Sequence, residues 1–317
     1  MPTLNEIQEL ILQKKGSSQD EVRHEYLRNL AEYTKRDTIL YSTAFTSNKG
    51  PGIPAPAMSI MPEDIQGFMS ALHGLKNDKL DIIIHSPGGS MEAADQIVQY
   101  LRSKYTHIRA IVPQNAMSAA TMLSCACDCI IMGKHSAIGP IDPQVTFPTA
   151  NGAFTAPAQA ILDEFERAKA EITQNQGAAA LWINKFQSYP HGFLNLCQST
   201  LQLSKEKVAE WLKCWMLKDD VDKQEKATSI AAWLSNANEH KTHGRPINYK
   251  KAQEAGLIVE LLEDDQNMQE LVLSTFHASM VTFMVTPCVK IVENHNGKGL
   301  YTRIEIQTIQ GMPIKPK

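Results

Sequence analysis

Two short turns of small residues carry the side chains best suited to chemistry. "HSPGGSMEAADQ" (85–96) places Gly88 and Gly89 side by side, and "QNAMSAATMLS" (114–124) places Ser118 between a methionine and an alanine. Paired glycines let the backbone turn tightly and approach a neighbour closely. The start of a helix leaves N–H groups that favour negative charge. A hydroxyl at such a position could act as a nucleophile facing an oxyanion hole, built from its own following amide at Ala119 and from the Gly88 or Gly89 amide. Each turn also has an ordinary structural reading. "PGG" alone suits any strand-to-helix turn, and a serine that opens a helix commonly only caps it.

The surrounding pattern decides whether the two turns can meet. "LDIIIHS" (80–86) is a continuous apolar run bounded by turn residues, as expected of a strand buried on both faces. The pattern then predicts a helix over 90–105, a strand over 107–114, a helix over 116–126 and a strand over 128–133. Strand–helix–strand–helix–strand in about fifty residues means right-handed βαβ units on a parallel sheet. Adjacent parallel strands present their carboxyl ends side by side, where ligands bind.

The remaining segments read as follows. Helices are expected over 4–15 and 18–35, a strand over 37–45, and a helix beginning at Pro62. "NKGPGIPAPAMS" (48–59) is too rich in Pro and Gly for regular structure, and 145–157 is expected to be a polar loop. Helices should fill about 157–236, and the tail from 270 to 306 should hold one helix and two strands, "CVKIVEN" and "LYTRIEI".

Composition sets limits. The chain has 317 residues, 43% of them hydrophobic and 21% charged, with a formal net charge of −3. Those values suit a soluble globular protein and give no basic field for nucleic acid. No apolar run reaches 18 residues, so no membrane anchor is expected, and the amphipathic start is not a signal peptide. The cysteines of "CACDC" (125–129) lack metal-ribbon spacing and are expected to be small buried side chains in a reducing cytoplasm. No metal and no cofactor are expected. "LLEDDQNMQE" (261–270) is expected to be a solvated helix start, and Trp182, Phe186 and Tyr189 core or subunit contacts.

"IIIHSPGGSMEAADQIVQYL", followed by "VPQNAMSAATMLSCACDCIIMGKHSAIGPIDPQ" and later by "THGRPINYKKAQEAGLIVELLEDD", resembles the Clp-protease/signal-peptide-peptidase superfamily, which has the crotonase-like fold. Within it, the chain looks most like the serine dehydrogenase proteinase family, over roughly residues 37–265. The resemblance implies a spiral of βαβ units with a parallel sheet, a helical insertion and a C-terminal α+β extension. It divides the chain into an N-terminal helical segment (1–36), a catalytic domain (37–265, its helical part about 157–236) and an extension (266–317). It implies Ser118 as nucleophile and the "SPGG" amides as part of the oxyanion hole.

Three residues compete to activate the serine. Compared with the Clp subunit, the positions of His and Asp look exchanged: Asp142 lies in "GPIDPQ" and His243 in "THGRPI". That gives the chain order Ser118, Asp142, His243, which is the order of the serine dehydrogenase proteinase family, and geometry rather than order sets the roles. Signal peptide peptidases instead use a Ser–Lys dyad, and Lys169 stands 51 residues after Ser118. His135 in "GKHSAIG" is a third candidate. The leading expectation is a cytoplasmic, homo-oligomeric serine endopeptidase acting on peptides or proteins, with no cofactor and with any partner ATPase unspecified. A crotonase-type acyl-CoA enzyme and an inactive scaffold of the same fold remain as alternatives.

Overall fold

The computed structural model describes residues 3–13, 18–50, 52–149 and 152–305. Helices α1 (Leu4–Gln13) and α2 (Ser18–Thr34) lead into β1 (Asp37–Thr43). Then come α3 (Asp64–Leu72), β2 (Lys79–His85), α4 (Met91–Arg102), β3 (His107–Val112), the short β4 (Asn115–Ala116), α5 (Ala119–Cys125), β5 (Cys129–Met132) and the short β6 (Ala137–Ile138). A hairpin of β7 (Gln144–Thr149) and β8 (Gly152–Pro157) opens the helical stretch α6 (Ala158–Gln174), α7 (Ala179–Gln187), α8 (Phe193–Trp211), α9 (Lys223–Leu234) and α10 (Ala237–His240). The chain closes with α11 (Tyr249–Glu254), β9 (Val259–Leu261), α12 (Gln266–Val285), β10 (Cys288–Asn294) and β11 (Gly299–Arg303).

The central sheet has the order β11-β10-β1-β2-β3-β5-β9. The run from β1 to β9 is parallel, and β10 and β11 add antiparallel strands at one edge. This is the mixed α/β fold with a largely parallel sheet that the alternating pattern requires. The apolar residues of β2 are buried on both faces, and Asp81, which interrupts them, is buried and paired with Arg36 and Arg109. Ile82 and Ile84 pack with residues of α3, α4 and α5, while Ile83 packs with Leu27, Leu30, Val272 and Leu273 of α2 and α12.

Two segments expected to be irregular are ordered. Residues 145–157 form most of the β7–β8 hairpin rather than a polar loop, with Val145 paired to Ala156 and Phe147 to Phe154. Alternation explains it: Val145 and Phe147 sit two apart, and Phe147 packs edge-on against Phe193 and Tyr189, 4.9 and 5.9 Å between ring centres. The Pro/Gly segment before α3 contains a 3-10 turn at Ala55–Met58. The tail expectations hold in type, and both of its strands enter the central sheet through β10.

All six cysteines are free thiols, and only Cys214 is exposed. Burial pushes the thiols of Cys125, Cys127 and Cys129 up to about 12, which leaves them inert. Asp265 caps α12 by accepting from the Met268 amide at 3.0 Å, as expected of an acidic helix start. Among the described residues, no helix is long and apolar enough to cross a membrane.

Candidate active site

Ser118 stands at the N-terminus of α5, and its conformation separates the two readings of a helix-opening serine. Its side chain caps nothing. Its backbone has φ +52° and ψ −120°, a region that a residue with a Cβ rarely adopts. Ser118 lines a cleft of about 380 Å³. Among the described residues, Ser118 Oγ has no hydrogen-bond partner and neither does the Ala119 amide.

The glycine turn lies against the serine. A Cβ on Gly88 would sit 2.5 Å from Met117 O, 2.7 Å from Ser118 Cβ and 2.8 Å from Ala119 N. Gly89 is equally confined from the other side, by the backbone of Ile60. Ile60 donates to Gly88 O at 2.7 Å and accepts from Ser90 N at 2.8 Å, so the turn is held as a one-residue parallel bridge. The two glycine amides differ: Gly88 N donates to Ser86 Oγ at 3.2 Å, while the Gly89 amide has no acceptor among the described residues.

Asp142 and His243 meet although 101 residues separate them. His243 Nδ1 donates to Asp142 Oδ1 at 2.8 Å, because a carboxylate can only accept. That leaves Nε2 of the neutral ring as an acceptor. Asp142 is 2% exposed and His243 30%, so the carboxylate is walled in while the imidazole opens onto the cleft. Two anchors explain the meeting. Ile138 and Ile247 exchange backbone hydrogen bonds at 2.8 and 3.0 Å, which lays the His243 loop along the Asp142 loop. The Asp142 loop is pinned in turn: Ile141 N donates to Leu234 O, and Ile141 O accepts from Ser204 Oγ on α8. Thr121 ties α5 to the same loop by accepting from Gly139 N at 2.9 Å.

The structure therefore gathers Ser118, Ala119, Gly88, Gly89 and His243 around one cleft, with Asp142 behind the imidazole. It does not bring Lys169 there. Lys169 lies on α6, its side chain 57% exposed, and its ammonium pairs with Glu166 at 2.8 Å. That environment has neither the burial nor the positive neighbour that a lysine base needs. His135 is also absent from the cleft, its Nε2 bonded to Pro113 O at 2.9 Å. Arg245 donates to the carbonyls of Glu239 and His240 and forms no ion pair among the described residues.

Sequence reasoning missed Ile60 and Thr121. Nothing in "MSIMP" marks Ile60 as the backbone partner of a glycine turn 28 residues on, whereas Thr121 stands one helical turn after Ser118 and could have been read as a tether. No group of three or more His, Cys, Asp or Glu side chains able to hold a metal ion occurs among the described residues.

Comparison with known proteins gives the family of the chain. Residues 13–186 match the model of the ClpP-like SDH-type serine proteinases. An uncharacterized protein of Methanocaldococcus jannaschii is 31% identical over 215 residues, covering 66% of this chain and 63% of that protein. A second uncharacterized protein of the same organism is 30% identical over 198 residues, covering 62% of this chain and 58% of that protein. The chain thus spans less than two thirds of the length of either relative. Among solved structures, a mutant of the 1510-N membrane-bound stomatin-specific protease is similar at 16% identity and a TM-score of 0.38, over 68% of this chain and 79% of that one. Ser118 and Asp142 fall inside the matched residues, and His243 falls beyond them.

Proposed function

Because this chain belongs to the ClpP-like SDH-type serine proteinase family, we propose that it is a serine endopeptidase cutting peptide bonds through an acyl-enzyme on Ser118. The observation that carries the reading is the convergence of a strained, unbonded Ser118 hydroxyl, two unpaired amides and a carboxylate-oriented imidazole on one cleft.

In this reading, Ser118 Oγ attacks the scissile carbonyl while His243 Nε2 takes its proton. The C–N bond then breaks, and the imidazolium returns the proton to the leaving amine. Water, deprotonated by the same imidazole, hydrolyses the ester and restores the serine. Asp142 keeps Nδ1 protonated, holds the ring and stabilises the imidazolium. The Gly89 and Ala119 amides receive the developing oxyanion, while the Gly88 amide serves the turn through Ser86. Catalytic hydrogen bonds are often long in a ligand-free site, so an unformed Ser118–His243 bond is compatible with this role. Lys169 is then a solvated surface lysine. The free buried thiols support a reducing, cytoplasmic setting. The exposed Leu181 and Ile183 beside the half-buried Trp182 and Phe186 support self-association, and peptides or proteins are the proposed substrates.

Cleavage of an unfolded protein such as reduced casein tests the activity. The native chain should release peptides and Ser118→Ala should release none. Equal release by both would assign the cleavage to a contaminant and remove the reading.

A further inference from the structure

A buried lysine stands directly behind the oxyanion turn. Lys290, on β10, is 4% exposed. Its ammonium donates to Asp64 Oδ1 at 2.6 Å and to the Ser59 carbonyl at 2.7 Å. The other Asp64 oxygen accepts from the Tyr41 hydroxyl at 2.6 Å and from the Met61 amide at 3.1 Å. Asp64 is itself buried, and Tyr41 is 1% exposed. Burial and the facing Asp64 carboxylate hold the Tyr41 phenol well above its ordinary range, so it stays a donor.

These bonds grip the segment 59–61 from behind, and Ile60 at its centre grips the Gly88–Gly89 turn from in front. The Ile60 backbone has polar contacts to Gly88 O and Ser90 N, and no Cβ could fit between it and Gly89. The direction of the Gly89 N–H is therefore set by where Ile60 stands, and Ile60 stands where Lys290 and Asp64 hold its neighbours. A buried ion pair adds little net stability over an apolar pair of similar volume. Its directional bonds do fix two backbone groups to within a hydrogen bond's tolerance. Lys290 lies beyond the residues matched to the family model.

We propose that Lys290, acting through Asp64 and Ser59, is a positioning residue for the oxyanion hole, so that the C-terminal strand β10 sets the aim of the Gly89 amide. The inference rests on the serine-peptidase reading above. A group that only stabilises the fold would change how much protein is folded. A positioning group changes the reactivity of each folded molecule.

The test compares the full-length native chain with Lys290→Met, which keeps the stem and removes the charge, and with the milder Tyr41→Phe, which removes one donor to Asp64. Three quantities are measured: the rate of fluorophosphonate labelling of Ser118 per folded molecule, its pH profile, and amide hydrogen exchange over 84–92. Since loss of one oxyanion donor costs about 100-fold or more, a displaced one should slow labelling by about 10- to 100-fold in Lys290→Met and by about fivefold in Tyr41→Phe. The pH midpoint should stay in place, because His243 and Asp142 are untouched, and exchange over 84–92 should quicken. Native labelling rates and exchange in the folded variants would overturn the inference while leaving Ser118 as nucleophile. If Lys290→Met does not fold, Tyr41→Phe alone decides by the same criteria. A native chain that does not label would overturn the serine reading, and this inference with it.

Discussion

Gly88 and Ser118 are packed so closely that a Cβ on the glycine would lie 2.7 Å from the Cβ of the serine. The same atom would also strike Met117 O and Ala119 N, neither of which is a flexible side-chain end. Gly88 has φ +94° as well, so a side chain there is strained even before it clashes. Gly88→Ala should therefore displace the serine turn, destabilise the chain by about 2–4 kcal/mol and abolish hydrolysis. Chemical denaturation and a peptide assay check both effects. A stable, active Gly88→Ala would mean that the two turns do not touch in solution.

The strain at Ser118 has a measurable cost. A non-glycine residue held at φ +52° should be relieved when its Cβ is removed. Ser118→Gly and Ser118→Ala should both be inactive, yet the glycine variant should be more stable than the alanine variant by about 1 kcal/mol. Thermal unfolding of the two variants decides it. An alanine variant as stable as the glycine one would contradict a strained turn.

The role of Asp142 separates orientation from fold. Its carboxylate accepts from His243 Nδ1 and from Gln144 Nε2 at 2.8 Å each. Asp142→Asn keeps the size and offers an amide that favours the wrong imidazole tautomer. The rate of hydrolysis should drop by about 10³- to 10⁴-fold with KM little changed. A loss under tenfold would remove Asp142 from the mechanism.

His85 makes the stability depend on pH. It ends β2, buried between Phe45 and Phe276, and burial holds its imidazole down to about 3. In the unfolded chain a histidine titrates near 6.5, so below that pH the unfolded state binds the extra proton. Stability from this group is present above about 6.5 and is lost as pH falls toward 3. His85→Gln should remove about 2 kcal/mol of the stability change between pH 7 and pH 5. Urea denaturation at the two pH values checks it, and an unaltered slope would show that His85 takes up no proton on unfolding. Glu293, held down to about 2 chiefly by Arg23 against the cost of its burial, acts at lower pH and does not confuse that window.

Most of the parallel sheet was legible because β1, β2, β3 and β5 are short, mainly apolar runs separated by helical patterns, whereas the three-residue edge strand β9 is too short to leave such a pattern. Each turn alone also suited an ordinary strand-to-helix junction or cap, and the two were legible as a site only together and through the family resemblance. The β7–β8 hairpin was not, since only Val145 and Phe147 carry its apolar alternation among threonines, alanines and prolines, and their packing against Phe193 is a tertiary contact. The pairing of Asp142 with His243 could be reached from the sequence only through family resemblance, because the contact depends on the Ile138–Ile247 bridge across a long helical insertion. Lys169 shows the converse: its spacing suited a dyad, and its exposed pairing with Glu166 does not. The Lys290–Asp64–Tyr41 cluster left no local mark, because its members come from three distant elements.

The most direct measurement is intact-mass spectrometry of the folded chain after incubation with a fluorophosphonate, with peptide mapping of the adduct. The account predicts one adduct on Ser118 in the native chain and in Lys169→Ala, none in Ser118→Ala, and labelling slowed by about 10³-fold or more in His243→Ala. An adduct that survives Ser118→Ala, or labelling that depends on Lys169 and not on His243, would contradict it.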